Sequence, residues 1–183
     1  MKRKIDYDCL PDWAKSWDFI DMIESKCKTY EINPYHIIAL VKTESDGNKF
    51  AMRYEKDFKW TSDIATCAFA AKCTQDTMEM MQKTSWGLCQ VMGVKFYELG
   101  GSLEYLSENR TPAALLNERL GLEYGCRAWR KYAERYINPE KMYAAYNAGS
   151  VRYDKNSPTK YVNQNAVDNF MSNLRETTKA VRF

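Results

Sequence analysis

One glutamate in this sequence stands where an aliphatic residue would be expected. Asn33-Pro34 opens a helix, with asparagine as the N-cap and proline at the first helical position. The apolar face of that helix is Ile37, Leu40 and Val41, and the next position on it, four after Leu40 and three after Val41, is Glu44. Asp46-Gly47-Asn48 then signals a turn. Desolvating a carboxylate is expensive, so a carboxyl group against apolar walls has its pKa raised. An acid still protonated near neutral pH is what general-acid cleavage of a glycosidic bond requires. Periodicity alone favours a blander reading, a helix-terminal glutamate turned to solvent.

Other chemistries are thinned by composition. His36 is the single histidine, which excludes a His-rich zinc site and a facial iron triad. Six cysteines at 9, 27, 67, 73, 89 and 126 contain no C-x-x-C and no paired knuckle, so a structural zinc site is not expected. No cofactor is expected either. Cys67 and Cys73 are the only close pair and could staple a local loop. A cysteine peptidase joining Cys89 to His36 ranks last, because a surface or capping role suits His36 better. The net charge of +3 comes from Lys2, Arg3 and Lys4, which leaves a neutral body and no support for a nucleic-acid partner. No run is long enough to span a bilayer. The basic start resembles the beginning of a secretory leader, but Asp6, Asp8 and Asp12 follow where an apolar stretch should. The chain as given is therefore expected to carry no Sec-type signal.

The length of 183 residues, 45% hydrophobic and 28% charged, suits one domain over 1–183. Trp13, Trp17, Ile20, Ile23, Cys27 and Tyr30 form a helical stripe, read as an N-terminal helical extension over 1–30. Residues 50–85 read as an insertion, with a hairpin near Met52 to Trp60 and helical turns later. Ser85 to Met92 precedes a helix ending near Gly100-Gly101. Thr111-Pro112 predicts a capped start leading through Leu115, Leu116 and Leu120, and Leu122 to Tyr136 continues helical. Asn138-Pro139 starts a helix carrying Met142, Tyr143 and Tyr146, and a last one runs from about Pro158 through Leu174. The expectation is an all-α domain, or α with a small β hairpin.

Four motifs in order then change the weight given to Glu44. They are Glu44-Ser45, Gly87-Leu88-Cys89-Gln90, Ala145-Tyr146-Asn147-Ala148-Gly149 and Tyr161-Val162. Together they resemble the lytic transglycosylases with the goose-type lysozyme-like fold, over roughly Asn33 to Phe170. Cys89 stands where that family usually has methionine, and the gap from Glu44 to Gly87 is longer than its usual short connection. The resemblance implies a lysozyme-like helical domain with an insertion after the catalytic helix.

The resemblance also implies a substrate, the peptidoglycan glycan strand, cut between N-acetylmuramic acid and N-acetylglucosamine. Glu44 would protonate the glycosidic oxygen and then, as base, take the proton of the muramoyl C6 hydroxyl, leaving a 1,6-anhydro end. Ser45, Gly87, Leu88, Gln90, Tyr146, Asn147 and Tyr161 are carried over as substrate-binding positions. Core packing remains open for Tyr146, and a helix-terminal polar role for Ser45. A hydrolytic lysozyme on the same fold is the alternative, with Asp46, Glu55 or Asp63 as second carboxylate. A non-catalytic glycan-binding or virion protein is a further one. The expected setting is the bacterial cell wall, reached by a monomer that is phage-encoded, as an endolysin or virion enzyme, or exported by a non-Sec route.

Overall fold

The computed structural model describes residues 4–101 and 111–179. In chain order the elements are α1 (Asp12–Lys15), α2 (Ile20–Tyr30), α3 (Pro34–Ser45), β1 (Met52–Tyr54), α4 (Ile64–Ala71) and α5 (Gln75–Gln82). They continue with β2 (Thr84–Trp86), β3 (Val91–Met92), α6 (Gly93–Glu98), a 3-10 turn (Pro112–Leu116), α7 (Glu118–Ala133), α8 (Pro139–Ala148), β4 (Tyr153–Asp154), β5 (Ser157–Tyr161) and α9 (Gln164–Thr178). The fold is mostly helical with short antiparallel strands, as the helical periodicities predict. Among the described residues no helix is long and apolar enough to cross a membrane. The chain divides into two compact units, residues 1–47 with 126–183, and residues 48–125.

In the first unit α3 packs on α2 and α9, and α8 packs on α9. Fully buried Tyr35, Ile37, Ile38, Leu40, Trp129, Tyr143 and Phe170 fill the space between them. Local chemistry sets both ends of α3. Asn33 accepts from the Tyr35 N–H at 3.1 Å, and Asp46 ends the helix in the left-handed region at φ 53°. Gly47 follows at φ 80°, pressed so closely on Trp17 that a Cβ there would lie 2.4 Å from the indole nitrogen.

Two expectations in this unit need correction. The aromatic stripe from Trp13 to Tyr30 is not one helix: it breaks between α1 and α2. Ser16 Oγ donates to the Trp13 carbonyl at 2.8 Å, a local bond that competes with the helical ladder. Trp17 then stacks on Phe19, with ring centroids 5.2 Å apart. The last helix starts at Gln164 rather than near Pro158, because Ser157–Tyr161 pairs with β4 and Tyr161 stacks on Tyr153.

The second unit holds a three-stranded sheet in the order β1-β2-β3. Met52 faces Trp86 and Tyr54 faces Thr84, while Ser85 faces Met92. The hairpin expected near Met52 to Trp60 is therefore replaced by pairing of β1 with a strand thirty residues on. Helices α4 and α5 fill the interval around buried Cys67, Ala68 and Met78. Residues 112–116 form a 3-10 turn, not the start of a long helix, and Thr111 makes no side-chain cap bond. Asn117 caps α7 instead, accepting from the N–H groups of Arg119 and Leu120.

Candidate active site

Helix α3 delivers Glu44 in its last turn, half-buried, next to the backbone carbonyls that end the helix. That end of a helix carries partial negative charge and so disfavours an ionised carboxylate. Tyr143, on α8 and 1% exposed, donates its hydroxyl to Glu44 Oε1 at 2.8 Å. The phenol ring cannot swing away, because it lies face to face with Phe170, centroids 4.5 Å apart and planes 3° from parallel. The turn bearing Glu44 is pinned from α9 as well, where Asn173 Nδ2 donates to Thr43 Oγ1 at 2.9 Å. Ser45 Oγ donates back to the Val41 carbonyl at 3.2 Å.

The remaining first-unit candidates fall into two groups. Asn147 is exposed near the end of α8, and its Oδ1 accepts from Asn163 Nδ2 at 2.9 Å. Tyr146 is half-buried against Trp129 and Tyr132, with centroids 5.9 Å and 6.1 Å away. Tyr161 is 7% exposed, and burial, with Glu140 and Tyr153 adding to it, pushes its phenol pKa up. His36 meets Trp129 edge-on at 5.7 Å.

Gly87, Leu88 and Gln90 come together in the second unit, in the loop between β2 and β3. Gly87 has φ 70°, and a Cβ there would lie 2.2 Å from the Leu115 carbonyl oxygen, so glycine is required by the chain itself. Leu88 is fully buried. Gln90, 9% exposed and itself left-handed at φ 46°, accepts from Ser85 Oγ at 2.9 Å. Its Nε2 donates to the carbonyls of Ala51 and Gly87, each at 3.0 Å. The amide thus ties the loop to the residue that precedes β1. Cys89 Sγ lies over Gly125, where a Cβ would approach it to 2.3 Å.

The three candidate second carboxylates are all engaged, and Asp46 takes the Lys42 ammonium one turn back on α3. Asp63 is the N-cap of α4, accepting from the Thr66 N–H at 3.0 Å and the Thr66 hydroxyl at 2.6 Å. Those bonds hold its carboxyl below the ordinary aspartate range. Glu55 takes the Arg53 Nε at 2.5 Å.

Sequence reasoning misses Tyr143 and Asn163. Tyr143 reads as one residue of an apolar helix face, and its only signal is the need of a buried phenol for a polar partner. Asn163 follows Tyr161-Val162 directly, and nothing in its spacing points to Asn147.

A mostly helical fold with a small antiparallel sheet is consistent with the lysozyme-like class. Residues 21–169 match the sequence model of the transglycosylase SLT domain, and the chain belongs to that family. Its members are lytic transglycosylases acting on peptidoglycan, which makes the cell wall the place of action. The match opens within α2, so α1 and Trp17 lie outside it. Comparison with curated proteins and with solved structures gives no match.

Proposed function

We propose that the chain cuts the bond between N-acetylmuramic acid and N-acetylglucosamine, with Glu44 acting first as acid and then as base. The observation that carries this reading is the Tyr143 hydroxyl on Glu44 Oε1 at 2.8 Å. In its acid form Glu44 carries the proton that the reaction transfers. Glu44 gives that proton to the glycosidic oxygen as the C1–O bond breaks. The carboxylate then takes the proton of the muramoyl C6 hydroxyl while O6 bonds to C1 and closes the 1,6-anhydro ring. The Tyr143 bond strengthens as the carboxylate forms, because hydrogen bonds to charged acceptors are the stronger ones. A single carboxyl group thereby serves both steps in turn. Asn147 and its partner Asn163 offer amide groups suited to N-acetyl contacts, and Ser45, Tyr146 and Tyr161 flank the same motifs.

A lysozyme-type hydrolysis would need a second carboxylate to activate water. The cap role of Asp63 and the cationic partners of Glu55 and Asp46, Arg53 and Lys42, weigh for the single-carboxylate route. Mass spectrometry of muropeptides released from purified peptidoglycan decides between the two. The expected products end in 1,6-anhydromuramic acid, and reducing muramic acid ends would overturn the proposal.

A further inference from the structure

Residues 4–19 precede the segment matched by the family's model, and they follow α3 from its first turn to its exit. At the start of the helix the Asp6 N–H donates to the Tyr35 hydroxyl at 3.0 Å. Further along, the Lys42 ammonium lies 4.9 Å from the centre of the Trp13 ring. Past the helix end the Trp17 indole covers Gly47 so closely that only glycine fits beneath it. A Cβ there would lie 2.4 Å from Nε1 and 2.7 Å from Cε2. Ile5, Leu10, Ala14 and Phe19 are buried along the way, so this segment is part of the core.

The two indoles support each other, with ring centroids 5.2 Å apart, and Trp17 rests in turn on buried Phe19. What they cover is the turn that holds Glu44. Its backbone closes through the Asp46 N–H, which donates to the Lys42 carbonyl at 3.2 Å. Its side chains close through the ion pair of Lys42 with Asp46. Helix ends fray, because their last carbonyls have no partner further along. A general acid, by contrast, must be held to within about 0.5 Å of its productive place. Tyr143 and Asn173 hold the Glu44 carboxyl and Thr43 from α8 and α9. The indoles hold Lys42 and Gly47, one on either side of Glu44 in the chain.

We propose that Trp17, backed by Trp13, is a positioning residue for Glu44: the two indoles fix the exit of α3 and with it the place of the carboxyl group. The proposal rests on the reading of Glu44 as acid and base above. A cation over an indole face gains electrostatically, which keeps the Lys42–Asp46 pair in one geometry. Glycine at 47 lets the Trp17 ring lie on the main chain itself, so the contact restrains the backbone directly. Loss of that ring opens space over Gly47 and frees the turn to fray. A displacement of about 1 Å at the carboxyl can cost about 10²-fold in rate while leaving the substrate bound as before. Both indoles lie outside residues 21–169, so this support is an addition to the matched family segment.

The test uses the full chain as wild type, Trp17→Ala, Trp17→Phe, Gly47→Ala, the double variant Trp17→Ala/Gly47→Ala, Glu44→Gln, and Met78→Ala as a core truncation in the second unit. Turnover on purified peptidoglycan gives kcat and KM, a thermal melt gives Tm, and hydrogen exchange read by mass spectrometry follows the amides of residues 42–47. Trp17→Ala should lower kcat about tenfold with KM within about twofold, and should speed exchange at 42–47 about tenfold. Trp17→Phe keeps a ring over Gly47 and should lower kcat only about two- to threefold. Gly47→Ala should lower kcat as Trp17→Ala does, and the double variant should lose less than the product of the two. Met78→Ala should lower Tm at least as far as Trp17→Ala while leaving kcat and exchange at 42–47 unchanged. A folded Trp17→Ala with wild-type kcat or wild-type exchange overturns the positioning role, and so does a loss of kcat in Met78→Ala that tracks its Tm. Should Trp17→Ala not fold, Trp17→Phe carries the test, and wild-type values in that variant overturn the role equally. If Glu44→Gln keeps wild-type turnover, the catalytic reading fails and takes the positioning role with it. If Glu44→Gln is inactive and Trp17→Ala is unimpaired, the positioning role alone fails.

Discussion

Glu44 at the C-terminus of α3 and Asp63 at the N-terminus of α4 are carboxylates at opposite kinds of helix end, and their surroundings differ accordingly. Glu44 stands in the last turn of α3, at the end of a helix that carries partial negative charge, and accepts from a buried phenol. Asp63 stands before the first turn of α4, where free N–H groups favour the anion, and both of its oxygens are taken by Thr66. On the proposed mechanism the proton of Glu44 leaves and returns. Asp63 is placed so that it stays charged, which makes it a poor source of protons and a good cap. Helix polarity thus separates a candidate acid from a structural carboxylate before any substrate is considered.

The largest effect should come from Glu44→Gln, which keeps the shape and removes the transferable proton. Turbidity loss on purified cell walls should drop roughly 10²–10⁴-fold, with the helical CD spectrum intact. Near-native lysis would place the proton transfers elsewhere and dissolve the contrast. Tyr143→Phe is the next step down. It deletes one hydrogen bond to the carboxylate, about 1.5–3 kcal/mol, and should lower kcat roughly tenfold or more. A merely structural tyrosine would lower stability and leave kcat of the folded variant unchanged. Glu55→Gln should leave kcat within about twofold, since the group it loses is a solvent-facing ion pair with Arg53. A loss comparable to that of Glu44→Gln would restore the two-carboxylate mechanism.

The legible and the hidden parts of the fold divide by distance along the chain. Asn33-Pro34, the stripe ending in Glu44 and the Asp46-Gly47 stop are interactions within a few residues, and the structure has them where the spacing predicts. Asn138-Pro139 behaves the same way at α8. The strands are two to five residues long, too short for alternation to show, and β1 finds β2 across the whole of α4 and α5. Side-chain roles that depend on distant partners are hidden too. Tyr143 and Glu44 are 99 residues apart, so the phenol reads as core. The family motif marks Gln90 as a special position, yet motif matching cannot reveal that its amide ties Ala51, Ser85 and Gly87 together.

The smallest effect belongs to Asp63, and it tests the other half of the contrast. Asp63→Ala removes the α4 cap and should lower the Tm at neutral pH while leaving kcat and KM on peptidoglycan unchanged. The sign of its pH dependence is set by a carboxyl whose folded pKa lies below the ordinary 3.8. Its contribution is fully present above the unfolded value and is lost as pH falls through the folded one. The Tm gap between wild type and Asp63→Ala should therefore hold steady above about pH 5 and close progressively below about pH 4. Asp63→Asn keeps an acceptor at the cap and should recover most of the gap at neutral pH. A variant series in which Tm stays level and turnover falls would mean that Asp63 serves the reaction, and that a helix N-terminus here holds a catalytic anion instead of a cap.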